Sequence, residues 1–249
     1  MSRITKAIAA ATLTISIANG AQAQTLRDYV SDARKTVTDY KKPKSNTLSN
    51  SDITAGLKQA LQIGAQNATN KVSLPNGFFG NALIKILMPP EAAKVEKTLR
   101  AVGMGAQVDK AILAMNRGAE DASKKAVQIF INAITSMSIT DGMSILKGGN
   151  NAATNYLKSK TTAQLTSAFR PIVEESLDKV SATKYWTEVF TLYNQLPTTS
   201  KKINPDLTGY VTDKALAGVF VYVADEESKI RLNPAARVTD LLKKVFGQP

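Results

Sequence analysis

The sequence contains no cysteine and no histidine among its 249 residues. Without cysteine the fold cannot use disulfides, and neither thiolate nucleophiles nor thiolate metal ligands are available. Without histidine a Ser-His-Asp triad, an imidazole general base, an imidazole zinc site and haem ligation by histidine are all excluded. The chemistry that remains is that of carboxylates, Ser-Lys nucleophiles and oxygen-ligated metals.

Long apolar runs are also missing, because no stretch after residue 23 reaches the roughly 20 apolar residues that span a bilayer. The first 23 residues instead have the pattern of a secretory signal peptide. Arg3 and Lys6 give a positive start, residues 7–19 are small and apolar, and Ala21-Gln22-Ala23 matches an A-x-A cleavage site. No cysteine follows for a lipid anchor. We therefore predict a periplasmic or secreted protein, cleaved near Ala23.

The charge balance is strongly basic. The chain has 32 basic and 20 acidic residues, a net charge of +12, and two of the basic residues lie in the predicted signal peptide. Such a field favours an anionic lipid or an anionic envelope polymer as partner, although it equally serves solubility. An envelope protein is the third partner class. Nucleic acid is not expected, because no long basic run is interleaved with aromatic residues. The sequence does not determine the oligomeric state.

Helical periodicity dominates the chain and predicts an all-α fold. We expect a signal peptide over 1–23, an N-terminal helix and linker over 24–47, and one multi-helix domain of about eight helices over 48–249. Ser49 and Asp52 resemble a capping box, and Gly103 stands where a helix ends. The apolar stripe from Val108 to Ile134 predicts one long helix over 106–137.

Several boundaries are harder to place. Residues 83–87 are apolar and bounded by turn signals, which fits either a strand or the end of a short helix. Residues 150–158 are predicted as a short helix, and residues 162–180 as another that Pro171 kinks or divides. Residues 185–196 and 206–231 have helical spacing, and a last helix follows Asn233-Pro234.

Two carboxylates are candidate catalytic residues. Asn116 and Glu120 are four residues apart at the margin of the apolar stripe, so Glu120 would be partly desolvated and could act in acid–base chemistry. The alternative is a buried polar network. Asp141 has the same ambiguity, since it could cap a short helix or serve as a second functional carboxylate.

Asn116, Glu120 and Asp141 are also candidate ligand-binding residues, and three further charged residues belong to the same group. Glu227 and Arg231 have the spacing of a helix salt bridge, and Arg170 could pair with Glu174 four residues on. Any of these arginines would bind a carboxylate or phosphate if it faced a cleft instead. No cofactor is expected, because the G-x-G at Gly103 lacks its third glycine and no P-loop or EF-hand is present.

An ordered set of short motifs resembles the domain-of-unknown-function family 4197, an uncharacterised bacterial family. The motifs are LSNSDITAGLKQAL, MNRGAEDA, ITDGMSIL, AATNYL, DLTGYVTDKALAGVF and EESKIRLNPAARVTDLLKKVF, and the resemblance covers roughly residues 48–247. It implies an exported all-α protein. Members are often lipoproteins, but this chain lacks the lipid-anchor cysteine. The family transfers no catalytic residue.

Three functions are open at this point. The first is a non-enzymatic envelope protein that binds an amphipathic or anionic ligand, or a protein partner, in an apolar groove with a basic rim. The second is a carboxylate-dependent hydrolase of cell-envelope material centred on Glu120 and Asp141. This second function requires both carboxylates to line one open cavity. The third is a structural or assembly factor of the envelope.

Overall fold

The computed structural model describes residues 49–195 and 202–232. The chain divides into two units, Met1–Thr47 and Leu48–Pro249, and the described residues belong to the second. The predicted signal peptide, the predicted N-terminal helix and linker over 24–47, and the predicted last helix lie outside the described residues.

All regular structure in the described part is helical, which confirms the all-α prediction. A 3-10 turn at Pro90–Ala92 precedes the second of eight α-helices. These are α1 (Asn50–Ser73), α2 (Ala93–Ala101), α3 (Gly105–Ser123), α4 (Ala126–Thr135), α5 (Ile139–Lys147), α6 (Ala152–Asp178), α7 (Ala182–Gln195) and α8 (Leu207–Leu232).

The core lies among the four longest helices. α3 packs against α6, α6 against α8, and α8 against α1, while α4 and α5 cover α1 and α7 lies against α6. Most of the buried side chains form one continuous cluster. The largest that are fully buried include Phe78, Phe130, Met115, Leu157 and Phe169. Because the chain has no disulfide, hydrophobic burial and internal hydrogen bonds must hold this domain together.

Two predicted helix ends are confirmed in detail. The Ser49 hydroxyl accepts from the Asp52 N–H, and the Asp52 carboxylate accepts in return from the Ser49 N–H. At the C-terminal end of α2, Gly103 has φ +85°. Its N–H donates to Arg100 and the next N–H donates to Leu99, which is the Schellman pattern that a left-handed glycine permits.

The prediction of one helix over 106–137 is wrong. Lys124 and Lys125 interrupt it, and their N–H groups donate to the carbonyls three residues back, at Asp121 and Ala122. The apolar period continues across the break, because Ala122 and Ala126 are both fully buried. The hydrophobic spacing therefore gave no sign of this break, where the backbone hydrogen bonds reach back three residues in place of four.

The predicted division of residues 150–180 is also wrong. α6 runs without interruption from Ala152 to Asp178, through Pro171. The Thr161 and Thr162 hydroxyls donate to carbonyls four residues back, at Leu157 and Lys158, so these threonines lie inside the helix and begin no new one.

Residues 74–89, which we call the connector, join α1 to the 3-10 turn. The Asn76-Gly77 pair predicts a turn with positive φ, and that turn is present, with Asn76 at φ +66°. Residues 83–87 form neither a strand nor a helix end. Their side chains nevertheless alternate, since Ile84 and Ile86 are buried while Leu83 and Leu87 are exposed.

No single helix among the described residues is both long enough and apolar enough to cross a membrane. One pair, Gly105–Thr135 with Ile139–Lys147, meets these criteria jointly but is bent by 105°.

Candidate functional site

Asn116 clamps the connector to α3. Its side-chain oxygen accepts from the Ile86 N–H at 2.9 Å, and its amide donates to the Ile86 and Ile112 carbonyls, each at 2.8 Å. The residue is fully buried. These bonds satisfy the backbone of Ile86, which no secondary structure would otherwise pair. Asn116 is therefore occupied as a structural residue.

Glu120 belongs to the same buried network. One of its oxygens accepts from the N–H groups of Phe78 and Phe79, each at 3.1 Å, and the other accepts from Arg117. Arg117 also donates to the Asn76 side chain at 2.9 Å. With the Glu120 residue 3% exposed, both oxygens are engaged, and Glu120 does not line the cleft between α6 and α8.

Asp141 is a capping residue, although it does not occupy the predicted position. Ser138 is the N-cap of α5, and Asp141 is the third residue of the helix. The Asp141 carboxylate accepts from the N–H and the hydroxyl of Ser138, and these bonds lower the pKa of the Asp141 carboxyl. A carboxyl in a capping box satisfies the N-terminal N–H groups of its own helix.

Glu227 and Arg231 form the predicted pair, with Arg231 Nε donating to the Glu227 carboxylate at 2.9 Å. The pair also joins three helices. Glu227 accepts from the N–H groups of Ala153 and Thr154 at 3.1 and 2.8 Å, so it caps α6 from α8. Arg231 donates to the Ile145 carbonyl at 2.9 Å, at the end of α5. Neither residue is available for an external ligand.

Arg170 is the one predicted site residue that lines a cleft. Its predicted pairing with Glu174 is wrong, because the guanidinium binds both carboxylate oxygens of Asp206, at 2.9 and 3.0 Å. Asp206 also accepts from the Gly209 N–H at 2.8 Å and thereby caps α8. Arg170 makes two parallel hydrogen bonds to a carboxylate that is already held in place as a cap. This geometry is favoured over an ion pair between two residues on one exposed helix face.

The cleft has a volume of about 680 Å³ and lies between three parts of the fold. The 3-10 turn supplies one side, α6 a second, and residues 202–206 with the first two turns of α8 a third. The lining residues are Pro89, Pro90, Glu91, Thr166, Arg170, Lys202, Ile203, Asn204, Asp206, Gly209, Tyr210, Thr212, Asp213 and Lys214.

The cleft lining carries three cations and three carboxylates, of which Arg170 and Asp206 are paired with each other. Lys202 and Lys214 line the cleft, and neither forms an ion pair with a described residue. Lys214 Nζ lies 5.6 Å from the centroid of the Tyr210 ring. Burial raises the pKa of the Tyr210 hydroxyl, and the Glu91 carboxylate adds to the shift. That hydroxyl donates to the Leu87 carbonyl at 3.0 Å, which connects the cleft to the connector.

The single tryptophan contacts a residue that lines the cleft. Trp186 is buried, and its indole N–H donates to the Asn204 carbonyl at 3.1 Å. Because Asn204 lines the cleft, the indole fluorescence is a natural reporter of its occupancy.

Sequence reasoning missed Lys202, Tyr210 and Lys214. The helical spacing over residues 206–231 places only Glu227 and Arg231 among the functional candidates, both near the end of that helix, and residues 202–214 contribute none. Nothing in the sequence links them to Pro89 or Arg170, since they come together only when α8 packs against α6 and the connector.

The Arg170–Asp206 pair predicts an acid-dependent loss of stability. The hydrogen bonds from Arg170 hold the pKa of the Asp206 carboxyl below its usual value of 3.8. A carboxyl with a lowered folded-state pKa stabilises the fold above its unfolded pKa of about 3.9, and this contribution is lost as the pH falls through the folded-state pKa. Asp206→Asn should therefore lose more stability at pH 7 than at pH 2, as measured by urea unfolding.

Asp178→Asn is the control for this experiment. Asp178 is exposed at the end of α6 and forms no ion pair with a described residue. An equal dependence on pH for both variants would contradict a role of the Arg170–Asp206 pair.

Among residues 49–195 and 202–232, no group of three or more carboxylates is placed to hold a metal ion. The described site is thus a cleft of mixed polarity on an all-α domain whose other candidate polar residues are internal anchors. A family model described as "Protein of unknown function (DUF4197)" matches residues 47–247, and the chain belongs to that family. No curated protein and no solved structure matches the chain.

Proposed function

We propose that this protein is an exported, non-enzymatic binding protein that holds an amphipathic ligand with one anionic group in the cleft between α6 and α8. The observation that carries the proposal is the pair of cleft lysines, Lys202 and Lys214, which have no carboxylate partner among the described residues. Export rests on the signal-peptide pattern of residues 1–23.

The apolar part of the ligand is expected against the uncharged wall of the cleft. Pro89 and Ile203 are buried residues that still border it, and the Tyr210 ring is partly exposed beside them. A cleft of several hundred Å³ with an apolar wall and a few charged groups is the usual form of a small-molecule site.

The charged part of the ligand is expected at the lysines. Arg170 and Asp206 neutralise each other, which leaves Lys202 and Lys214 as the available cations. Asp213 also lines the cleft, so a polyanion would meet repulsion there. The mixed rim therefore favours a compact anion, such as a carboxylate or a single phosphate, over an envelope polymer.

A binding role has better support than the hydrolase hypothesis. That hypothesis required Glu120 and Asp141 to share one open cavity. Neither residue lines the described cleft, and each carboxylate is committed to local hydrogen bonds. A general acid or base needs an oxygen within reach of its substrate, and the buried Glu120 carboxylate, held by internal donors, does not offer one. Asp141 is partly exposed, but it serves the capping box of α5 and does not line the cleft.

The test uses lysophosphatidylglycerol below its micelle concentration as the probe and Trp186 fluorescence as the signal. Wild-type protein should give a saturable change. Lys202→Gln combined with Lys214→Gln should weaken binding at least about tenfold, because a hydrogen bond to a charged group contributes about 1.5–3 kcal/mol. Lys147→Gln combined with Lys158→Gln removes the same charge at exposed positions outside the cleft.

Equal dissociation constants for the two double variants would overturn the proposed site. Native mass spectrometry of protein recovered from its own envelope fraction, followed by organic extraction, gives an independent readout. A bound amphipathic anion that is missing from the Lys202/Lys214 variant would support the proposal.

A further inference from the structure

Three leucines of the connector are exposed, Leu74, Leu83 and Leu87, and the last two lie four residues apart. Leu83 is 74% exposed and Leu87 is 56% exposed, whereas Ile84 and Ile86 between and beside them are buried. We call the alternate residues Leu83, Lys85 and Leu87 the connector ridge, of which Lys85 is partly exposed. Exposed apolar side chains that lie close together often mark a surface that contacts a partner.

The connector backbone is fixed, so the leucines cannot collapse onto the domain without breaking hydrogen bonds. Asn116 clamps both backbone groups of Ile86. The Leu83 N–H donates to the Asn81 side chain at 3.1 Å, and the Leu87 carbonyl accepts from Tyr210. Asn81 in turn donates to the Tyr222 hydroxyl. The exposure of the ridge is therefore built into the fold.

Two lysines lie over aromatic rings, Lys85 on the ridge and Lys71 in the last turn of α1, where it stacks on the tyrosine that Asn81 of the connector contacts. Lys85 Nζ lies 4.0 Å from the centroid of the Phe79 ring, and Lys71 Nζ lies 4.6 Å from that of Tyr222. Neither lysine forms an ion pair with a described residue. A lysine on an aromatic face keeps its ammonium group in place while leaving it free for an anion.

Carboxylates are absent from the connector itself, and the first one after it, Glu91, lies near Tyr210, whose hydroxyl donates to the Leu87 carbonyl. The sequence has no Asp or Glu from residue 53 to residue 90. On α8, the next carboxylates beyond Tyr222 are Asp225 and Glu226, and both are paired with Lys229. The ridge thus combines exposed leucines with free cations, which is the complement of an anionic bilayer surface.

We propose that the connector ridge docks on an anionic phospholipid bilayer, with Leu83 and Leu87 entering the lipid and Lys71 and Lys85 contacting phosphate headgroups. A second copy of the chain fits this surface less well. A symmetric contact through the ridge would bring the same two lysines of both copies together, and their like charges would repel each other. Two leucines also fall far short of the roughly 1,600 Å² that a stable protein interface buries.

The ridge and the cleft are continuous along the chain. Leu87 is two residues from Pro89, which lines the cleft, and Tyr210 lines the cleft while donating to the Leu87 carbonyl. The role of the docking surface rests on the proposed function, since the bilayer would be the source or the destination of the cleft's ligand. The docking itself is tested separately.

The experiment measures sedimentation of the full chain with vesicles of phosphatidylcholine containing 0 or 30% phosphatidylglycerol. Every variant carries the same N-terminal residues, so their contribution to binding is common to all. Lys71→Gln with Lys85→Gln should weaken binding to the anionic vesicles about 30-fold, at about fivefold per lysine. Leu83→Gln with Leu87→Gln should weaken it about tenfold or more.

The controls match each change elsewhere on the surface. Lys158→Gln with Lys160→Gln removes two exposed lysines of α6, one of which also lies over an aromatic ring. Val102→Gln removes an exposed apolar side chain, 67% exposed, at the end of α2. Both should leave vesicle binding within about twofold of wild type, and added salt should weaken binding by the wild-type protein.

An equal loss of vesicle binding in the ridge and control variants would overturn the docking surface. So would wild-type protein that does not bind the anionic vesicles. A ridge variant that instead changes the sedimentation coefficient of the protein alone would also overturn it, because the ridge would then contact a second copy. The ridge variants keep Lys202 and Lys214. Normal fluorescence titration with lost vesicle binding therefore separates this inference from the proposed function.

Discussion

Glu227→Ala is expected to lower the free energy of unfolding by about 3–5 kcal/mol, the cost of leaving one partner of a buried ion pair unpaired. Glu227 is 6% exposed and accepts hydrogen bonds from Ala153, Thr154 and Arg231. The N-cap of α6, Asn151, provides no side-chain hydrogen bond of its own. Without Glu227, the first N–H groups of α6 and the Arg231 guanidinium all lose an acceptor.

Chemical denaturation followed by circular dichroism measures this loss. Asp225→Ala is the matched control, since Asp225 lies two residues away on α8 in an exposed pair with Lys229. Exposed pairs contribute about 0–1 kcal/mol. A Glu227 variant as stable as the Asp225 variant would contradict the role of Glu227 as the joint between α5, α6 and α8.

Glu120→Ala is expected to cost about 3 kcal/mol, because it leaves the buried N–H of Phe78 and the part-buried N–H of Phe79 without their acceptor. The loss of structure should be concentrated in the connector. Lys85 offers a trypsin site there, so cleavage after Lys85 should become much faster than in wild-type protein. Limited proteolysis with mass spectrometry of the fragments measures this effect.

Glu96→Ala is the control for Glu120. Glu96 pairs with Arg100 on the surface of α2 and should cost no more than about 0.5 kcal/mol without exposing Lys85. If Glu120→Ala kept wild-type stability and an intact connector, the carboxylate would be free of the structural role assigned to it, and the acid–base hypothesis would regain support.

Local patterns in the sequence were reliable where the interaction itself is local. The Ser49–Asp52 capping box, the left-handed turn at Asn76 and the helix end at Gly103 depend on residues within a few positions of each other, and all three are present. Helix boundaries were less secure. The break at Lys124 kept the apolar period intact, and Pro171 did not divide α6.

The hydrogen-bond and ion-pair partners of the polar residues were harder to predict, because these interactions join residues far apart in the chain. Arg170 binds Asp206 and leaves its helical neighbour Glu174, since Asp206 is already oriented as the cap of α8. Glu120 meets Phe78 across 42 residues. The sequence identified these residues as special but could not separate an internal anchor from a functional group.

By itself, the sequence determined the all-α class, the excluded cysteine and histidine chemistry, the basic charge and the family resemblance, because these follow from composition, period and local spacing. Only the tertiary structure decided which polar residues are sealed and which line a cleft. Burial and pairing depend on how helices pack, and packing brings Pro89, Arg170 and Lys214 together from three separate parts of the chain.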